Sequence, residues 1–102
     1  YISTLKRSLS EKHYKTGFNH YRNNNFEAAF AEYRRAIDYN PENTSAQVEL
    51  DRVGKDLAQK YFEQGMSYFS RSEMDKAREM FKKSLSYQPD KPESLRALER
   101  IR

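Results

Sequence analysis

Displaced by 48 residues, the sequence falls on itself without a gap. Gly17 lands on Gly65, Ala29 on Ala77, Tyr39 on Tyr87 and Pro41 on Pro89. Leu9, Lys12, Leu50 and Arg52 recur as Leu57, Lys60, Leu98 and Arg100. Conservative pairs lie between them: Tyr14 with Phe62, Phe18 with Met66, Phe26 with Met74, Tyr33 with Phe81, Ile37 with Leu85. A period of this kind restricts the chain to architectures in which one supersecondary unit stacks on the next. A single unit cannot bury its own apolar face.

The unit itself reads as a helix, a short polar turn, a second helix and a proline-marked corner. Gly and Pro number 3 each and there is no cysteine, so helix formers run almost unbroken and no disulfide or thiolate metal site is available. The expected fold class is therefore all-α, built of antiparallel helix–turn–helix repeats. The first helix is expected over residues 2–22, with Ile2, Leu5 and Leu9 on one face. Asn23-Asn24-Asn25 breaks it. Asn24 with Glu27, and Ser72 with Asp75, have the spacing of helix-capping pairs. The helix from Phe26 to Tyr39 is expected to bury Phe26, Ala29, Phe30, Tyr33, Ala36 and Ile37. Its counterpart buries Met74, Ala77, Phe81, Ser84 and Leu85. Pro41 and Pro89 stop these helices, because the residue before a proline disfavours helical geometry.

The stretch Thr44–Ser70 has no proline and carries two apolar stripes. At about 100° per residue, Leu50, Val53, Leu57, Tyr61 and Tyr68 share one. Phe62, Met66 and Phe69 form a second arc, so this central helix needs cover from two sides. Gly54, matched by Lys6 and Arg102, costs about 1 kcal/mol against alanine in a helix and marks where a bend or break would fall. One domain is expected over 1–102, with repeats at about 11–41 and 59–89 and partial flanking helices at 1–10 and 93–102. Opening on Tyr1 and ending in mid-pattern, the chain reads as a piece of a longer array.

From Gly17 the intervals to Ala29, Tyr33, Ala36 and Pro41 are 12, 16, 19 and 24 residues; from Gly65 the same intervals reach Ala77, Phe81, Ser84 and Pro89. This pattern resembles the tetratricopeptide repeat, an α-solenoid family in which small residues let paired helices approach and an aromatic fills the space beside them. His13 and Tyr61, Thr16 and Gln64, and His20 and Tyr68 depart from the family's usual residues. The period exceeds the family's usual 34 by fourteen residues, close to four turns and about 20 Å of added first helix.

The resemblance implies a concave surface built from first-helix residues: Glu11, Tyr14, Phe18, Tyr21 and Arg22, then Gln59, Phe62, Met66, Phe69 and Ser70. Family members that grip a C-terminal carboxylate use Lys and Asn at some of these places. This chain has aromatics and Met, so no carboxylate clamp is expected. An apolar groove of that kind suits a helix or hydrophobic segment of a partner protein, with Tyr14, Phe18, Tyr21, Arg22, Phe62, Met66 and Phe69 as the partner-binding set. Complete burial within the chain is the plain alternative, and homo-oligomerisation through the same faces is the second functional one.

No constellation for catalysis is present, and neither cofactor, metal nor small-molecule substrate is expected. His13 and His20 occupy places held by Tyr61 and Tyr68 and read as packing residues. Arg34-Arg35 and Lys82-Lys83 recur on the second helices, and nucleic-acid binding through them is a weaker possibility. The net charge of +4 is modest, and interspersed acids such as Glu32, Asp38 and Glu79 dilute the basic pairs. Asn43-Thr44-Ser45 matches a glycosylation sequon, but Thr44 or Ser45 serves equally as a helix cap. No apolar run approaches the roughly 20 residues of a membrane-spanning helix.

Overall fold

The computed structural model describes residues 3–101, so the expected apolar position Ile2 lies outside the described residues. Five helices follow in order: α1 (Thr4–Arg22), α2 (Phe26–Tyr39), α3 (Thr44–Ser70), α4 (Met74–Tyr87) and α5 (Pro92–Ile101). The described residues contain no strand, and the fold is all-α. No described helix is long and apolar enough to cross a membrane. Gly54 lies inside α3 with helical residues on both sides, and no break occurs there. The chain forms two compact units, Tyr1–Val53 and Gly54–Arg102. Unit 1 comprises α1, α2 and the start of α3; unit 2 comprises the rest of α3, α4 and α5.

Ser3 opens α1, its Oγ accepting from the Lys6 N–H at 3.2 Å. The two polar turns are closed by backbone rather than by the expected capping pairs. Asn25 and Glu73 precede α2 and α4, and neither makes a side-chain cap bond. Asn24 and Ser72 instead adopt left-handed backbone, with φ of 63° and 62°. That conformation turns the Asn25 N–H onto the His20 carbonyl at 2.8 Å and the Glu73 N–H onto the Tyr68 carbonyl at 2.9 Å. Carbonyls left over at the end of the preceding helix are thereby satisfied. Asparagine tolerates this geometry, whereas serine pays a steric penalty. We therefore expect Ser72→Gly to raise the stability of unit 2 by about 0.5–1 kcal/mol; a urea titration followed by circular dichroism measures it.

Helix pairing in both units rests on a glycine set against a ring. In unit 1 a Cβ on Gly17 would stand 2.9 Å from the Tyr33 ring; in unit 2 one on Gly65 would stand 2.5 Å from Phe81. Ala29, Tyr33 and Ala36 are fully buried in unit 1, and Ala77, Phe81 and Ser84 in unit 2. Phe26, Ile37, Met74 and Leu85, expected in the core, are half-buried. Phe26 and Met74 are the first residues of their helices, and Ile37 and Leu85 lie one position off the buried stripe. Leu5 is exposed and Leu9 half-buried, while the interior position on that part of α1 belongs to Ser10.

Ser10 is half of a reciprocal exchange. In unit 1 the Ser10 hydroxyl of α1 donates to the Ala36 carbonyl of α2 at 2.6 Å. In unit 2 the Ser84 hydroxyl of α4 donates to the Ala58 carbonyl of α3 at 2.7 Å. Positions 10 and 58 are repeat equivalents, as are 36 and 84. One serine–alanine contact therefore ties each helix pair, with the hydroxyl carried by opposite helices. Asn43 extends the unit 1 bond: its Nδ2 donates to Ser10 Oγ at 2.8 Å, and its Oδ1 accepts from the Ala46 N–H at 3.1 Å. The cap of α3 is thus Asn43 itself rather than Thr44 or Ser45, and the sequon's asparagine is buried with its amide engaged.

Candidate functional site

An open groove of about 170 Å³ runs between α3 and α5 in unit 2. Phe62, Met66 and Phe69 come from α3, where spacings of four and three residues put them on one face. Glu93, Arg96, Ala97 and Arg100 come from α5. Leu98 and Ile101 pack against the Ala77–Phe81–Ala97 core; that docking turns the 93–96–100 stripe along the groove. Arg96 and Arg100, one turn apart, are both exposed. Among the described residues neither makes an ion pair.

The groove's aromatic wall is partly consumed by the fold. Phe62 lies 5.8 Å from the Phe81 ring centre, and Phe69 packs against the same core. Met66 is the open position of the floor, 41 % exposed. At one end lies Lys91, 7 % exposed, which occupies the place Asn43 holds in unit 1. Its ammonium donates to Gln59 Oε1 at 2.8 Å, sits 5.7 Å from the Phe62 ring centre and reaches Glu93 at 4.0 Å. A cation buried to that degree is held by this polar and π contact together.

The remaining expected partner-binding residues lie in unit 1 on α1. Phe18 is 43 % exposed, with the Arg22 guanidinium 5.9 Å from its ring centre. Tyr14 is tilted against Tyr33 at 5.7 Å, and Tyr21 meets Phe26 edge-on at 5.5 Å. The structure thus gathers Phe62, Met66 and Phe69 into one groove. Tyr14, Phe18, Tyr21 and Arg22 lie on α1 of unit 1, where Phe18 is the most exposed of the three rings. Glu93, Arg96 and Arg100 were absent from the sequence-derived set, which drew on first-helix motif positions alone. The signal was available in α5, since Leu95, Leu98 and Ile101 leave those three residues on another stripe.

Tyr33 has an unusual environment. It is fully buried, and its hydroxyl has no hydrogen-bond partner among the described residues. Burial pushes its pKa up to about 12; Glu49, Tyr14 and Tyr21 add to the rise and Arg52 opposes it. Glu49 is itself paired with Arg52 at 3.4 Å. A phenol whose folded pKa exceeds its unfolded value of about 10 stabilises fully below pH 10 and loses that contribution as pH rises through 12. Between those limits the wild type should lose up to about 1.4 kcal/mol per pH unit relative to Tyr33→Phe. Urea midpoints of the two proteins from pH 8 to 12 check this.

His13 packs as expected and also bonds. Its Nδ1 lies 2.9 Å from Glu32 Oε1, and its ring stacks on Tyr39 at 5.5 Å and 5°. Tyr61 and Tyr87 repeat the stack in unit 2 at 5.9 Å and 10°. His20 is half-buried. The described residues contain no group of three side chains arranged to hold a metal ion. Arg34-Arg35 and Lys82-Lys83 are exposed; Arg34 covers Phe30 at 4.9 Å and Lys83 covers Tyr61 at 4.5 Å.

Residues 10–43 and 58–91 each match a family profile described as tetratricopeptide repeat. Among solved structures, the chain is similar to one described as "First TPR of Spaghetti (RPAP3) bound to HSP90 peptide SRMEEVD". The likeness spans 98 % of this chain and 93 % of that one, at 13 % identity and a TM-score of 0.43. No curated protein sequence matches the chain.

Proposed function

Because the chain belongs to the tetratricopeptide repeat family, whose members serve as protein-interaction modules, we propose that it is a non-enzymatic scaffold that seats a partner polypeptide in the α3–α5 groove. The observation that carries this reading is the groove's make-up: an apolar floor of Phe62, Met66, Phe69 and Ala97, with Arg96 and Arg100 on its edge. Its volume of about 170 Å³ is well below the roughly 300–1,000 Å³ of small-molecule pockets. It suits one or two apolar side chains of a longer ligand. The exposed arginines favour acidic residues on either side of that anchor, because charge complementarity steers and orients association. Phe18 and Arg22 on α1 form the corresponding contact surface of unit 1.

Selection of a random 12-residue peptide library on the immobilised protein tests this reading. Enriched peptides should carry a large apolar residue flanked by Asp or Glu. Their addition should shift the amide resonances of Met66, Phe69, Arg96 and Arg100. Enrichment of sequences without an apolar anchor, or shifts confined to other surfaces, would overturn it.

A further inference from the structure

The chain has no cysteine and no tryptophan, and its methionines number 3. Cysteine and methionine sulfur is what mild peroxides attack first, so Met66, Met74 and Met80 are the targets such an oxidant finds here. They are not equivalent. Met74 and Met80 are half-buried on α4. Met66 is exposed and lies on the floor of the α3–α5 groove with Phe62 and Phe69. Susceptibility follows exposure, and the most open methionine is the one a ligand would cover.

Unit 1 offers a comparison. Phe18 holds the position equivalent to Met66 and is exposed to nearly the same degree, 43 % against 41 %. A ring and a thioether both serve that place as apolar surface, but only the thioether is made polar by a peroxide. The sulfur gives an electron pair to one peroxide oxygen. An S–O bond forms as the O–O bond breaks, and the departing hydroxide takes the remaining proton and leaves as water. The new oxygen is an acceptor that solvent satisfies while the groove is open. An apolar side chain seated over it strips that water away without offering a donor, and an acceptor left so opposes binding. The cationic donors lining the groove are Arg96 and Arg100, so the sulfoxide also competes for them with an acidic residue of the ligand.

We propose that Met66 is an oxidative modification site, through which a peroxide turns the α3–α5 groove from an apolar seat into a polar one and releases the bound polypeptide. The change is reversible, because sulfoxide reductases return the thioether, two thiols becoming a disulfide while the oxygen leaves as water. This rests on the groove being a polypeptide seat and adds its regulation. The Phe18 surface of unit 1 stays apolar under the same oxidant.

The test treats the protein with hydrogen peroxide and follows each methionine by mass spectrometry of its proteolytic fragments. Met66 should gain oxygen several times faster than Met74 and Met80. A peptide selected on the untreated protein should bind the Met66 sulfoxide form at least about tenfold more weakly, and the urea midpoint should stay within error. Methionine sulfoxide reductases for both epimers, with dithiothreitol, should restore the affinity. Met66→Leu keeps an apolar side chain of similar volume and should bind the peptide equally before and after peroxide. Oxidation of Met66 no faster than of the other two overturns the proposal. So does a Met66→Leu protein that loses affinity as the wild type does, or a fall in the midpoint that accounts for the lost binding. A peptide that shifts the Met66 amide yet binds the sulfoxide form undiminished overturns the switch and leaves the groove standing. One that neither shifts that amide nor slows the oxidation of Met66 removes the groove, and the switch with it.

Discussion

Truncation of Phe81 to alanine should lower the stability of unit 2 by about 3–5 kcal/mol. The ring is fully buried, fills the space over Gly65 and supports Phe62 at 5.8 Å. Removing it takes away apolar contact and leaves a cavity beneath the groove that the surrounding helices cannot close. Set against the roughly 5–15 kcal/mol that holds an ordinary domain together, this is a large share. Urea unfolding monitored by helical circular dichroism measures it. A loss under about 1 kcal/mol would mean that the Phe81 ring is not the filler of the α3–α4 interface. Phe81→Tyr is the informative companion, because it places in unit 2 the hydroxyl that unit 1 already carries on Tyr33.

Gly65→Ala should destabilise as well, by about 1–3 kcal/mol, although alanine is the better helix former by about 1 kcal/mol. The two effects oppose each other, and the distances decide. A Cβ on Gly65 would lie 2.5, 2.7 and 3.0 Å from three atoms of the Phe81 ring. A ring packed on all sides cannot yield by that much without moving a helix. Gly17→Ala meets Tyr33 at 2.9 Å and the Ala29 carbonyl oxygen at 3.3 Å, so its cost should be smaller. In a Phe81→Leu background the penalty at Gly65 should largely vanish, since the two substitutions share one contact and cannot be additive. An unchanged penalty in that background would show that the ring is not what excludes the methyl group.

These two positions also show why much of the fold was legible in the sequence. A small residue sixteen places before an aromatic, twice, states a packing contact, because two helices approach closely only where one lacks a side chain and the other fills the gap. The five helices followed from periodicity and from the prolines after Tyr39 and Tyr87. Other features were ambiguous at the level of spacing. Asn24 with Glu27 looks the same whether Asn24 caps the next helix or closes the last one, and the backbone chose the second. The hydroxyl exchange between Ser10 and Ser84 needs knowledge of which carbonyl each faces.

The candidate site was only partly readable. The α3 residues Phe62, Met66 and Phe69 were visible as an arc. Arg96 and Arg100 became part of a site only once α5 was placed beside α3. The Tyr-for-Phe differences were visible too, but that Tyr33 is fully buried, hydroxyl included, was not. Phe62 and Phe69, natural choices for a polar substitution, are half spent on the core around Phe81, so changing them would confound binding with stability. Met66, 41 % exposed, separates the two.

The affinity of a library-selected peptide for Met66→Glu, measured beside its affinity for the wild type, is therefore the most direct test of the groove as the binding surface. A charge placed on the apolar floor should weaken binding by at least about 30-fold, the loss of roughly 2 kcal/mol typical of a central interface residue, while the urea midpoint stays within error of the wild type. Undiminished binding by a folded Met66→Glu protein would contradict the account.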